Sequence, residues 1–226
     1  MKHALLVIAK RPAAGQTKTR LSPPLSLAHA AALYECFLRD TLDVARRVPN
    51  VTRFINYLPR EAENYFRSLA PDFDLLLQAG DDLGARLDFA LTRCLTNGFA
   101  RAVIMDSDSP TLPAEYIARA FELLAENDVV LGPCRDGGYY LIGLKKPAPR
   151  LLLEVKMSTP FVVRDTLELA RQENLRTAVL PEWYDVDTMN ELAQLRAELE
   201  NGNAEAKFTR AFLERLEMRD LSLRSN

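Results

Sequence analysis

Ala4-Leu5-Leu6-Val7-Ile8-Ala9, followed at once by Lys10-Arg11-Pro12-Ala13-Ala14-Gly15-Gln16-Thr17-Lys18-Thr19-Arg20-Leu21, is the stretch on which the fold turns. A continuous apolar run rich in Leu, Val and Ile, ended by a Lys-Arg-Pro breaker, predicts a strand buried on both faces, the environment of a parallel sheet. The residues from Arg11 to Pro24 read as a loop. Leu27, Ala31, Tyr34, Leu38, Leu42 and Ala45 then recur at helical spacing behind Ser26 as an N-cap, which predicts an amphipathic helix over 26–48.

The same strand, loop and helix rhythm repeats outward. Strands are expected at 51–57, 73–78, 102–105, 128–131, 139–144 and 177–180, and helices at 60–69, 83–97, 114–126, 161–173, 188–201 and 204–218. Alternation of this kind requires crossover helices lying over a sheet, so the fold class is α/β: a three-layer α/β/α sandwich on a mostly parallel mixed sheet. No internal repeat or low-complexity linker interrupts it, and one domain over 1–226 is expected, its helices within 188–218 packing on that domain or on a partner subunit. The late amphipathic helices are compatible with a homodimer.

Composition narrows the function. The 226 residues are 48% hydrophobic and 27% charged, a balance that fills one large core. A formal net charge of -2 and a pI near 5.8 lack the uniform positive field that dominates nucleic-acid binding. No apolar stretch approaches the roughly 20 residues of a membrane span, and the first apolar run is too short for a signal-peptide core. Cys36, Cys94 and Cys134 are isolated and odd in number, which points to reduced thiols and a cytoplasmic location.

In an open α/β sheet, ligands bind where strands end, and here four such places are chemically dense. After the first strand, Lys10, Arg11, Lys18 and Arg20 with two threonines and Gly15 form a candidate phosphate cradle: N–H groups and hydroxyls donate while the cations neutralise charge. Neither the Walker A spacing nor G-x-G-x-x-G is present, and a merely solvated basic loop would carry the same residues. After 102–105, Asp106-Ser107-Asp108-Ser109-Pro110 sets two carboxylates on alternate positions. Such a pair suits one hard divalent cation, Mg2+ or Mn2+, although a turn-capping Asp with a surface neighbour gives the same spacing.

Gly132-Pro133-Cys134-Arg135-Asp136-Gly137-Gly138-Tyr139-Tyr140 bridges two expected strands, with paired glycines that allow close backbone approach to a ligand; a hairpin turn explains it equally. Trp183-Tyr184-Asp185-Val186-Asp187-Thr188 repeats the alternate-carboxylate spacing. Either Asp187 or Thr188 serves to cap the following helix, which accounts for one acid but not both. A weaker signal is Gly80-Asp81-Asp82-Leu83-Gly84-Ala85-Arg86, whose glycines leave room for a base or sugar. His3 and His29 lie outside these segments, so a histidine-based mechanism is not expected.

Taken in this order, AKRPAAGQTKTRL, GDDLGARL, MDSDSPTLP, LGPCRDGGYYLIGL and WYDVDTMNEL resemble the GT-A-type nucleotide-diphospho-sugar transferase superfamily over roughly residues 3–200. The nearest resemblance is to its bacterial "transferase 1" branch, the DUF2064-like proteins. The last element also looks like the aspartate pair of guanylyl- and cytidylyltransferases, including those acting on phospholactate and on the molybdenum cofactor. One departure is that only Gly15 remains of the L-A-x-G-x-G-x-R loop usual in pyrophosphorylases.

The resemblance implies a metal-dependent transferase using a nucleoside triphosphate or a nucleotide sugar and a small acceptor. Lys18, Arg20 and Asp106 are its implied catalytic residues. Ala9, Lys10, Arg11, Pro12, Gly15, Thr17, Gly80 and Gly84, with those three, would hold the nucleotide. Asp136, Gly137, Gly138 and Tyr139 would meet the acceptor, and Asp106, Asp108, Asp185 and Asp187 the metal. The residues leave nucleotidyl and glycosyl transfer both open, and a non-catalytic nucleotide-binding relative as the alternative.

Overall fold

The computed structural model describes residues 2–202 and 205–224, the latter without the side chains of 217–224. Contacts along the chain define two compact units. The first comprises the residues up to Arg11 with 44–106 and 112–184; the second comprises 12–43, 107–111 and the chain from Asp185 onward.

The first unit contains one seven-stranded sheet. Its strands are β1 (His3–Lys10), β2 (Thr52–Leu58), β3 (Asp74–Leu77), β4 (Arg101–Met105), β5 (Val129–Pro133), β6 (Tyr139–Leu144) and β7 (Thr177–Val179), in the order β3-β2-β1-β4-β6-β5-β7. Every neighbouring pair is parallel except those that β6 makes with β4 and β5. The expected class is therefore the observed one: α/β, with a mostly parallel mixed sheet.

Both faces of the central strands are covered, which explains their unbroken apolar runs. Ala4, Leu6, Ala102, Ile104, Ile142 and Leu144 point into one cluster with Leu87, Leu91, Leu151, Leu152 and Ala170, contributed by α3 (Leu83–Thr96), α5 (Arg150–Leu153) and α6 (Val162–Gln172). On the other face Val103 and Gly143 meet Leu124 at the end of α4 (Ala114–Leu123), beside the buried Ile117, Ala120 and Phe121. Each fully buried Leu or Ile here contributes about 1.5–3 kcal/mol. The helix α2 (Glu63–Leu69) follows a short 3₁₀ turn at Arg60–Ala62.

The second unit is built from helices and loop. It includes α1 (Leu27–Arg47) as far as Asp43, α7 (Met189–Glu200) and α8 (Lys207–Arg224). The helix expected over 204–218 thus starts at Lys207, and Ala204 lies outside the described residues.

The first turn of α8 is bound to α1. Asp40, 2% exposed, accepts from the Phe208 N–H at 3.0 Å, the Thr209 N–H at 2.8 Å and the Thr209 hydroxyl at 2.6 Å. Lys207 pairs with Asp43 at 2.8 Å, and Arg39 lies over the Phe208 ring. Burial raises the Asp40 carboxyl above its ordinary value, and the three donated hydrogen bonds only partly oppose this. Among the described residues no helix is long and apolar enough to cross a membrane.

Candidate functional site

The loop after β1 is closed on itself before it reaches its cations. The N–H groups of Gln16 and Thr17 donate to the Ala13 carbonyl at 3.0 and 3.2 Å, and the Thr17 hydroxyl donates to that same carbonyl at 3.2 Å. Gly15 turns the chain at φ 77°, and Lys18 follows in the left-handed region at φ 49°. A 3₁₀ turn over Thr19–Leu21 comes next, anchored by the fully buried Leu21. Gly15 and Thr17 therefore shape the loop and Lys18 sits at its bend.

From that bend the Lys18 ammonium enters a pair of carboxylates. Its Nζ lies 2.9 Å from Asp108 Oδ2 and 2.6 Å from Asp187 Oδ1, the latter 169 positions along the chain. The Lys18 side chain is only 5% exposed. Burial alone would disfavour the charged amine, but Asp108 and Asp187 outweigh it and hold the pKa above the ordinary lysine value. Arg20 is a second cation on the same acid, with Nη1 3.5 Å from Asp187 Oδ2 and a side chain 72% exposed.

Two supports position the acids. The Val186 N–H donates to the Asp108 carbonyl at 3.0 Å, which ties the segments bearing the two carboxylates together. Behind Asp108, the Ser107 hydroxyl is 2.9 Å from that of Tyr34 on α1. Thr188, not Asp187, caps α7: its hydroxyl accepts from the Asn190 N–H, and its own N–H donates to Glu191. Asp185 lies in the same unit, two residues before Asp187.

Most of the remaining expected site residues belong to the sheet unit. Asp106 follows β4, its N–H bonded to the Tyr140 carbonyl at 2.9 Å. Ala9 and Lys10 end β1, and the Arg11 N–H donates to the Leu58 carbonyl while its guanidinium lies over the Tyr65 ring. Pro12 opens the second unit.

Gly84 in this unit has a packing reason. A Cβ on Gly84 would sit 2.1 Å from the Leu152 carbonyl oxygen, so α3 and α5 approach only because no side chain intervenes. Gly84 thus faces neighbouring backbone and not the open space expected for a base or sugar. Gly80 holds its carbonyl against Arg86 Nε at 3.0 Å.

The segment from Cys134 to Gly138 is the hairpin turn between β5 and β6. Asp136 accepts from the Gly138 N–H at 2.8 Å, and Gly137, at φ 89°, leaves no room for a Cβ beside the Pro160 carbonyl. Tyr139 directs its hydroxyl to the Met157 sulfur at 3.8 Å, and burial pushes its phenol pKa up. Its polar end is therefore engaged inside the protein. The three cysteines are free thiols, and burial raises those of Cys36 and Cys94 to about 11.

The sequence reading missed two contributors: Tyr34, which it counted only as an apolar helix position, and Ser107. The single available signal was their polarity on an otherwise apolar helix face or strand end.

The fold as a whole finds counterparts in known proteins. A protein of Desulfovibrio desulfuricans G20 ascribed to the nucleotide-diphospho-sugar transferases superposes with a TM-score of 0.85, at 32% identity over 96% of this chain and 95% of that one. The 2-phospho-L-lactate guanylyltransferase of Methanothermobacter thermautotrophicus is 27% identical over 183 residues, 79% of this chain and 78% of the relative. A structure of Rv0371c from Mycobacterium tuberculosis H37Rv in complex with manganese shares the fold, with a TM-score of 0.53 at 17% identity over 86% of this chain and 97% of that one.

These likenesses define the class, a transferase-like enzyme of the nucleotidyltransferase-like superfamily. Within it, the chain belongs to the family described as "Uncharacterized protein conserved in bacteria (DUF2064)", which matches residues 41–159, more than half of its length.

Proposed function

We propose that this protein transfers a nucleotidyl group from a nucleoside triphosphate to a small phosphorylated acceptor, with release of pyrophosphate. The observation that carries the reading is the convergence of Lys18, Arg20, Asp108 and Asp187 in one cluster. The guanylyltransferase relative, 27% identical, supports the reaction class. An oxygen of the acceptor phosphate attacks the α-phosphorus, and the bond from that phosphorus to the bridging oxygen breaks. A phosphate nucleophile is already ionised near neutral pH, so no side chain has to remove a proton, and a site without histidine is adequate.

The protein's part is electrostatic. Arg20, largely exposed, is free to meet the β- and γ-phosphates, and Lys18 adds a charge-assisted donor at the bend of the loop. Asp108 and Asp187 already direct oxygens at one cation, which is the donor chemistry Mg2+ or Mn2+ requires; with Asp185 of the same unit they would hold it. A divalent ion there supplies neutralisation of charge on the triphosphate. Gly15 and Thr17 shape the phosphate loop, Ala9 to Pro12 lead into it, and Asp136 to Tyr139 with the Gly80 loop are assigned to acceptor and base. Free thiols fit a reducing cytoplasm.

The test is pyrophosphate release from the four common triphosphates with a panel of phosphorylated acceptors and Mg2+ or Mn2+. Release that depends on both substrates is expected. A second reading, sugar transfer, is favoured by the Desulfovibrio relative at 32% identity. Hydrolysis of a nucleotide sugar with no pyrophosphate from any triphosphate would put that reading first.

A further inference from the structure

In the second unit, the place where the carboxylates of Asp108 and Asp187 point is filled by an amino group of the protein itself. Lys18 Nζ stands 2.9 Å from one and 2.6 Å from the other, and the side chain is 5% exposed. A small cation at hydrogen-bond distance from two converging carboxylates stands where a hard divalent ion would be ligated. Two cations cannot share those oxygens: at such short range their repulsion is strong, and a lysine this buried has no solvent to take it up.

We propose that Lys18 and a divalent metal ion are mutually exclusive on Asp108 and Asp187. The free protein therefore holds the metal poorly, and the ion is admitted only when nucleotide phosphate takes over the ammonium. This rests on the nucleotidyl-transfer reading above and adds an order to it: phosphate and metal enter together, and the lysine passes from carboxylate to phosphate without any bond being made or broken.

Three features of the loop fit such a transfer. Lys18 lies at a left-handed bend, φ 49°, immediately after a turn locked through Ala13, so its side chain swings from a fixed base. Arg20 contacts Asp187 at 3.5 Å with most of its surface in solvent, so one cation remains exposed to attract the anion while the other is stored. Thr188 with Glu191 caps α7 independently, so Asp187 is not needed for the helix end and is left to choose between the two cations.

The experiment measures Mn2+ binding to the full chain without nucleotide, by electron paramagnetic resonance of the free ion, for wild type and for Lys18→Met, Lys18→Gln and Lys18→Arg. The neutral variants are expected to bind Mn2+ at least about tenfold more tightly than wild type and to gain melting temperature when it is added. Lys18→Arg, which keeps the charge, should stay near wild type. Equal affinity in wild type and both neutral variants overturns the proposal. So does wild type that already binds Mn2+ tightly in the absence of nucleotide, a result that stands even if the neutral variants do not fold. Pyrophosphate release by a wild type that fails this test would leave the nucleotidyl-transfer reading intact, whereas a gain of Mn2+ affinity without any pyrophosphate release would remove the reading and keep the exclusion.

Discussion

The hairpin at Cys134–Gly138 and the loop at Gly15–Arg20 look alike as sequence, both glycine-bearing, polar and placed after a strand, yet they use their special residues differently. In the hairpin, Gly137 is required by the Pro160 carbonyl and Asp136 by the Gly138 N–H, and just before it in β5 Gly132 is required by the Tyr140 ring that a Cβ would meet at 2.3 Å. Packing accounts for these three residues. In the cationic loop, packing accounts for Thr17 and Leu21 but not for Lys18, whose buried ammonium is held by two carboxylates that offset its desolvation. A residue demanded by its neighbours says little about function, whereas a buried charge held only by other charges says a good deal.

The largest expected effect tests the charged side of that contrast. Asp187→Ala is predicted to lower the rate of pyrophosphate release by about 10²–10³-fold, the scale seen when a transition-state electrostatic partner is removed. Stability should fall by only about 1–2 kcal/mol, because Lys18 keeps Asp108. Full activity in a folded Asp187→Ala protein would show that the cluster is structural after all.

On the packing side, Gly137→Ala should cost about 3 kcal/mol, from a side chain at positive φ and a Cβ 2.1 Å from the Pro160 oxygen. For a chain of this size that lowers the melting temperature by roughly 6–12 °C. An unchanged melting curve with lost acceptor affinity would show instead that Gly137 serves the acceptor and not the Pro160 contact. A smaller effect is expected at the border between the two kinds of residue. Thr188→Ala removes the α7 cap next to Asp187, so stability should drop by about 1 kcal/mol in urea denaturation while the kinetics stay as they were. A kinetic defect instead would mean that the cap also holds Asp187 in place.

The same contrast explains what could be read beforehand. The strands were legible because burial on both faces writes itself as an uninterrupted apolar run, as in Ala4–Ala9 and Ala102–Met105, and the helix expected over 83–97 is observed as α3 at Leu83–Thr96. The single turn α5 was missed, since Arg150–Leu153 is too short to show a period. Of the site, Lys18, Arg20, Asp108 and Asp187 could be picked out by residue type and by position after a strand. Their pairing could not, for nothing local tells a lysine that its partner stands 169 positions away. Gly84 misled because a glycine needed by a helix contact and one needed by a ligand are the same letter, and only the Leu152 carbonyl distinguishes them.

Asp40 gives the smallest and most diagnostic test, because it is a buried charge held by packing elements and so belongs to neither side of the comparison. Burial raises its folded pKa above the unfolded value, with the bonds from Thr209 and Phe208 opposing the shift. The folded protein then binds the proton more firmly than the unfolded chain does. The stability due to Asp40 is therefore fully present below the unfolded carboxyl pKa and declines as pH rises through the raised folded one. Asp40→Asn retains an acceptor for the first turn of α8 but cannot titrate. Urea unfolding of both proteins at a series of pH values should show the wild type gaining on the variant as the solution is taken from neutral pH down through the carboxylate range. Parallel curves would mean that the donors from α8 stabilise the carboxylate as strongly as water does, and that the anchor of this helix is an ordinary cap. A gap that widens toward acid would show instead that this helix is docked at a standing electrostatic cost, unlike Lys18, whose two acids outweigh the cost of its burial.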